Sequence, residues 1–377
     1  KIKMIKKILI ISGTIFGILL LIFVFNQGFS KFKGNKSVEV VNNSPEQESI
    51  SKTDQNQKMK LVIEGPLTGA EATTAGKIIF YKDQKFYTAD FEGQSINSIG
   101  AYPFNNLKKI HWATGQKEAI VQDQDGFYIY SLDSDSAKKT KVGADEIIWA
   151  SDGRLFYKYY NDATKARSLN ISDKDGENWK VLVDNLSGVY RETVLTVQPG
   201  TGQNCFFSFP DGKNQSKLEC VNVSGDKKIV QEGNFGADYL WSPDGQKVLL
   251  SSVQTQGGNR MVLGVMNEQG GVYRGLDFPT TVQKCAWAKN SKDVYCAMMG
   301  SAPEQAILPN DWENEKFQWE DISFWRIDTE TAKKSRILEA KDMTEAIDAK
   351  SVFLDDAEEF LFFQNRKNNS LYQIKLK

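Results

Sequence analysis

The chain has 377 residues, of which 40% are hydrophobic and 25% charged, with a formal net charge of −1. That length holds one large repeat domain or two small ones. With no basic excess, nucleic acid is not expected as a partner.

Lys1, Lys3, Lys6 and Lys7 make residues 1–7 a basic end. Residues 8–25 follow without a charge, long enough to cross a bilayer core as one helix with little slack. After Phe25, the stretch Asn26-Gln-Gly-Phe-Ser-Lys31 has no Ala-x-Ala-like step and no cysteine. An uncleaved membrane anchor is therefore expected rather than a removed signal peptide. The lysines before the span outweigh Lys31, Lys33 and Lys36 after it, which favours the N-terminus inside and the C-terminal domain outside the cell membrane. Residues 26–59 read as a flexible tether, because residues 42–60 are almost wholly polar and cannot bury enough surface to fold.

From residue 60 to 377 one pattern recurs. Its fullest copy is Trp241-Ser-Pro-Asp-Gly245, followed by Val248-Leu-Leu-Ser-Ser-Val253. Proline and glycine suit a tight turn, and the apolar, β-rich run suits a buried strand. Partial copies run from Trp112 into Ala119-Ile-Val121, from Trp149 into Leu155-Phe-Tyr157, from Trp287 into Val294-Tyr-Cys-Ala297, and from Phe353 into Phe360-Leu-Phe-Phe363. A weaker copy leads from Val194 to Cys205-Phe-Phe207. The five anchors follow one another at 37, 92, 46 and 66 residues, the second interval being two units.

A period near 40–50 with several strands per unit predicts an all-β fold, a β-propeller. An ordinary antiparallel sandwich has no reason to repeat the anchor at this period. Seven hairpins can be counted, at 78–81 with 86–90, 119–122 with 127–132, 155–160 with 168–171, 205–209 with 217–221, 248–253 with 261–266, 294–299 with 322–327, and 360–364 with 371–376. Seven blades are expected, with six or eight left open because the first and fourth copies are degenerate. Trp241-Ser-Pro-Asp-Gly-Gln-Lys-Val-Leu-Leu-Ser251 resembles the repeat of TolB-type propellers, and more loosely a WD-repeat-like blade or the propellers attached to prolyl-oligopeptidase-like enzymes. The resemblance covers about residues 76–377 and implies the fold; it brings no partner with it. Lys60-Leu-Val-Ile-Glu64 is expected to pair onto the last blade and close the ring, which removes open sheet edges.

Cys205 and Cys220 flank a turn near Gly212 and Lys213, and Cys285 and Cys296 flank one near Asn290 and Ser291. Each pair lies opposite across a hairpin, within disulfide reach. Local pairing is one of three connectivities and agrees with an oxidising, extracytoplasmic location. Four free thiols in a cytoplasmic protein is the competing reading. Zinc fits poorly, with one histidine in the chain and wide spacings.

The chemistry of a catalyst is missing. His111 precedes Trp112 with no marked nucleophile or carboxylate partner and reads as structural or surface-lying. No Gly-x-Ser-x-Gly elbow, phosphate loop or dinucleotide fingerprint occurs. Asp123-Gln-Asp-Gly126 and Asp173-Lys-Asp-Gly176 lack the later ligands of a calcium loop and read as hairpin turns. Asn-x-Ser triplets at Asn170, Asn185, Asn214 and Asn222 look like surface loops. No catalytic residue, metal or cofactor is therefore expected.

Residues 300–321 are an insertion within the sixth hairpin, with Trp312, Phe317 and Trp319 set among Glu304, Asp311, Glu313, Glu315 and Glu320. Long loops often carry function. Exposed aromatics rimmed by charge suit a protein contact; a lid packing its own aromatics over the end of the propeller accounts for the composition equally well. The resulting expectation is a membrane-anchored, extracytoplasmic propeller that binds another envelope protein as a scaffold or interaction module. The rivals are a propeller-type enzyme, such as a glycan lyase or hydrolase, and a sensor of small ligands or glycans.

Overall fold

Each anchor of the repeat ends one strand and each turn after it starts the next, so that consecutive segments stack into antiparallel meanders. The computed structural model describes residues 58–186 and 192–377. The expected basic end, transmembrane helix and nearly all of the tether lie outside these. Among the described residues no helix is long and apolar enough to cross a membrane.

The first strand, β1 (Met59–Ile63), skips the strands that follow it. A four-stranded sheet is formed by β2 (Thr68–Ala72), β3 (Lys77–Lys82), β4 (Lys85–Asp90) and β5 (Asn97–Gly100). The next contains β6 (Lys109–Trp112), β7 (Glu118–Asp123), β8 (Gly126–Ser131) and β9 (Ser136–Lys139). The third contains β10 (Ala144–Trp149), β11 (Leu155–Asn161), β12 (Ala166–Ser172) and β13 (Lys180–Leu186). A seven-stranded sheet runs through β14 (Thr193–Gln198), β15 (Gln203–Ser208), β16 (Gln215–Val221), β17 (Lys227–Trp241), β18 (Lys247–Val253), β19 (Met261–Asn267) and β20 (Arg274–Gly275). Then come β21 (Cys285–Trp287), β22 (Asp293–Met298), β23 (Ser323–Asp328) and β24 (Lys334–Leu338). The last sheet is β25 (Ala349–Leu354), β26 (Phe360–Asn365) and β27 (Leu371–Lys375), with β1 as its fourth strand. All seven expected hairpins pair.

Strand β1 is antiparallel to β27, with Met59 opposite Ile374 and Leu61 opposite Tyr372. The expected pairing of the two ends of the domain is thus present, starting one residue earlier than anticipated. The first strands of successive sheets also meet: β2 lies against β6, β10 against β14, β21 against β25, and β25 returns to β2.

The seven-stranded sheet exists because β17 is 15 residues long. Its first half pairs with β16 and its second half with β18. Gly233 and Gly236 sit between the halves at φ of 90° and 60°, conformations that cost glycine little and let a strand bend.

The anchors hook neighbouring sheets together. Trp112 Nε1 donates to Gly69 O at 2.9 Å, Trp149 Nε1 to His111 O at 2.8 Å, and Trp287 Nε1 to Leu240 O at 3.1 Å. Each acceptor lies on the first strand of the preceding sheet or half-sheet. Phe353 has no N–H to give and instead stacks on Phe362 at 5.2 Å. In the fullest turn, Ser242 Oγ donates to Asp244 Oδ1 at 2.6 Å and accepts from Lys247 N at 2.9 Å. Gly245 there has φ of 69°, and a Cβ would lie 2.2 Å from Pro199 O.

Between β2–β5 and β6–β9 the seam is aromatic. Phe86 stacks on Tyr130 at 4.4 Å and meets Trp112 and Phe104 edge-on. Both disulfides form as expected, Cys205–Cys220 joining β15 to β16 and Cys285–Cys296 joining β21 to β22. In each, the two cysteines are directly opposed in register. The Asp123 motif is a hairpin turn whose Oδ1 accepts from Asp125 N and Gly126 N. Asn170, by contrast, is not on a surface loop. It lies in β12 and is buried, because the strand turns that face toward the preceding sheet.

Candidate functional site

The insertion after β22 does not project as a flexible loop. It contains one short helix, α1 (Asn310–Glu313), and is tied to three other parts of the domain. Asn310 Nδ2 donates to Asp211 Oδ1 at 2.8 Å and its Oδ1 accepts from Gly212 N at 2.7 Å, both in the β15–β16 turn. Leu308 N donates to Gly258 O at 3.0 Å in the β18–β19 turn. Arg366 Nη2, beyond β26, donates to Glu313 O at 2.9 Å. The segment is therefore a cap laid over the strand ends of several sheets.

Its aromatics point inward. Trp312 is 1% exposed, Trp319 is 3% exposed, and Phe317 is half-buried against Trp319 at 5.0 Å. Of the two expectations for Trp312, Phe317 and Trp319, the exposed contact surface is corrected for both tryptophans, which pack inward as the alternative of a lid holds. Burying two indoles gains more hydrophobic free energy than presenting them to water, and the indole N–H of Trp312 finds an acceptor inside.

That acceptor is Asp348, fully buried just before β25. Its Oδ2 accepts from Trp312 Nε1 at 3.0 Å and Trp319 N at 3.2 Å, and its Oδ1 from Lys284 Nζ at 2.5 Å. Asn365 Oδ1 holds the Asp348 backbone N–H at 3.0 Å. Lys284 is also fully buried and donates to Ala349 O. Its ammonium lies 4.5 Å from the Trp312 ring centroid, and the Arg366 guanidinium lies 4.6 Å from it. Burial pushes the Lys284 ammonium down to about 8, against the opposing pull of Asp348. Beside this pair, Gln283 Nε2 bridges Glu313 Oε1 at 2.8 Å and Asp238 Oδ2 at 3.3 Å. Burial pushes the Asp238 carboxyl up to about 6.

Lys284 and Asp238 belong to a series. The residue three before each anchor is charged in all five copies: Lys109, Glu146, Asp238, Lys284 and Lys350. In β6, β10 and β17 strand alternation sets this position on the face opposite the anchor's, whereas Lys284 ends a 3-10 turn before β21 and a bulge at Ser351 separates Lys350 from Phe353. Burial raises Glu146, with Lys109 and Lys158 opposing, and burial lowers Lys350, helped by Arg366. On β2, burial pushes Glu71 up to about 7, with a side-chain contact to Gln116 partly offsetting it. His111 is held near 4, chiefly by burial and then by Lys109, so it is a neutral, half-buried imidazole within β6. The sequence displayed this charged series, but the regularity shows only once the anchors are aligned.

Glu71 and Asp238 can exchange a proton near neutral pH, as a general acid or base must. Neither lines any of the cavities described among the described residues. A 340 Å³ cavity near the anchor turns is lined by Thr73, Trp241, Trp287, Phe353 and Asp355 among others, and by none of the raised carboxylates. Among the described residues no cluster of histidine, cysteine and acidic side chains is arranged to hold a metal.

No family model matches the chain, and no curated protein matches it. Solved structures do. An oligogalacturonate lyase from Vibrio parahaemolyticus aligns over 86% of this chain and 95% of its own, at 9% identity and a TM-score of 0.60. A chain of the mitotic checkpoint complex aligns over 91% and 99%, at 12% identity and 0.54. The Cps50 (Swd1) β-propeller domain of Myceliophteria thermophila aligns over 85% and 100%, at 8% identity and 0.54. At such identities the likeness shows the fold alone. The chain is a β-propeller repeat protein, as the TolB-type repeat implies.

Proposed function

We propose that this chain is a membrane-anchored, extracytoplasmic propeller that binds another envelope protein through the outer face of its cap. In this reading β17 is shared between two blades, which makes seven. The carrying observation is the cap itself. It is fixed by side-chain bonds to the β15–β16 turn and to Arg366, its aromatics are turned inward, and its outer face exposes Glu304, Glu315, Glu320 and Asp321 around Lys316. A pre-organised polar surface loses little conformational entropy on binding, and its acidic balance suits a basic patch on the partner. The two disulfides support an oxidising location, and the uncharged run over residues 8–25 supports the anchor.

A photo-crosslinking side chain at Glu315 or Glu320, in cells, tests this. A discrete crosslinked partner that disappears with Glu315→Lys and Glu320→Lys is the expected result. Absence of a crosslink at both positions would sink the reading. Alkylation without reduction tests the location: free thiols at all four cysteines in native protein would place the domain in the cytoplasm.

Catalysis is the second reading, favoured by the raised carboxyls of Glu71 and Asp238. It requires a substrate that reaches both carboxyls, Glu71 on β2 and Asp238 on β17. A polysaccharide cleaved by the wild type and spared by Asp238→Asn would establish it.

A further inference from the structure

The seam between β6–β9 and β10–β13 is packed differently from the seam before it. Its inner part is filled by Ile120, Phe127, Ile147, Leu155 and Tyr157. Farther out, where neighbouring sheets diverge, large side chains would be needed to fill the space. The preceding seam has them, in Phe86, Phe104, Tyr128 and Tyr130. In the later seam β12 presents Ser168 and Asn170 instead. Register places Tyr157 opposite Asn170 and Tyr159 opposite Ser168, with Val181 of β13 opposite Asn170 on the other side. These five side chains therefore share one sheet face. Lys141, Val142 and Gly143, which run into β10, border the same face, and an open cavity of 790 Å³ lies over it.

Asn170 is 2% exposed, donates from Nδ2 to Ser168 Oγ at 3.0 Å, and has no donor for its Oδ1 among the described residues. Trp179, also lining the cavity, leaves 64% of its surface exposed at the rim. The cations nearby are engaged: Lys141 pairs with Glu177 and Arg167 with Asp145. The lining thus offers aromatic rings and hydroxyls, with both of its cations paired to carboxylates and Asp184 adding an acid, a balance that does not select an anion.

We infer that this wedge is a binding site for a neutral saccharide. A sugar ring has apolar C–H faces that stack on an indole or phenol and a rim of hydroxyls that both donate and accept. Trp179 supplies the platform, Tyr159 the inner wall, and the Ser168 hydroxyl, with Thr164 and Asn161 beside it, the polar floor. The site lies on the side of the domain and is independent of the cap.

The test is titration of the full chain with maltohexaose, cellohexaose and hexa-N-acetylchitohexaose, read by tryptophan fluorescence and by saturation-transfer NMR. Saturable binding of at least one is expected. Trp179→Ala, at an exposed rim position, should weaken it about tenfold or more. Val181→Trp, which fills the groove from a half-exposed position, should abolish it without lowering the melting temperature. Binding of none of the three, or binding that both variants leave unchanged, overturns the site. Binding confined to an added anionic oligogalacturonate overturns the neutral class.

Discussion

Three of the four tryptophan anchors end in an N–H···O bond to the neighbouring sheet, and the fourth does not. Trp241 Nε1 is buried with no partner among the described residues, whereas Trp287 Nε1 reaches Leu240 O. Removing a paired donor strands its acceptor, while removing an unpaired one relieves a desolvation cost. Trp287→Phe should therefore cost about 1–2 kcal/mol, and Trp241→Phe clearly less, as read from urea midpoints. Titration works at the same scale. The folded Glu71 carboxyl keeps its proton up to about pH 7, against 4.5 for the ordinary group. The folded state thus holds the extra proton between these values, and stability falls as pH rises through that window. His111 acts in the opposite sense: depressed from 6.5 to about 4, it costs stability as pH drops through that range. Glu71→Gln should raise the urea midpoint at pH 8, change it little at pH 4, and leave the acid-side loss from His111 intact. An unchanged slope between pH 5 and 7 would refute the assignment.

At the scale of elements, the cap and its buried pair form one unit. Lys284 and Asp348 are both fully buried and mutually bonded, so deleting one partner leaves an uncompensated charge. Lys284→Met is expected to cost about 3–5 kcal/mol. Adding Asp348→Asn should recover part of this, because the amide oxygen still accepts from Trp312 or Trp319 while the stranded charge is gone. A double variant no better than the single one would show that the ion pair is not the source of the loss. The disulfides close hairpins with sequence separations of 15 and 11. Loop-closure entropy then predicts a loss of about 3 kcal/mol for Cys205→Ser with Cys220→Ser, and slightly less for the other pair, measured by chemical denaturation.

Across the whole molecule, the closing pair is β1 with β27. Without β1, the row of Leu371, Tyr372 and Ile374, all buried, sits on an open edge. Such an edge templates pairing with another chain. Deletion of residues 59–63 should lower the melting temperature and shift the protein to dimers or larger species in light scattering. A monomer with unchanged melting would mean that closure is not needed for solubility. Here the legible and the illegible separate clearly. The anchors, the seven hairpins and both cysteine pairs could be read from residues, because each rests on turn chemistry and strand alternation within a few positions of the chain; the return of the N-terminal strand could be read because a ring of sheets leaves an open edge unless its ends pair. The inward turn of Trp312 and Trp319, and the pairing of Lys284 with Asp348 across 64 residues, could not.

The sequence by itself determined the repeat, since a turn closes locally and its period counts the units that must stack. It also determined which cysteines oppose each other, because distance from a turn sets register in a hairpin. Only the tertiary structure decided what the insertion does with its aromatics: their partners come from the strand ends of other sheets, and contacts at such separations leave no local pattern. The same holds for the wedge beside Trp179. Ser168 is an unremarked polar residue along the chain, and becomes a floor only where strand pairing sets it beside Tyr159 and the exposed Trp179.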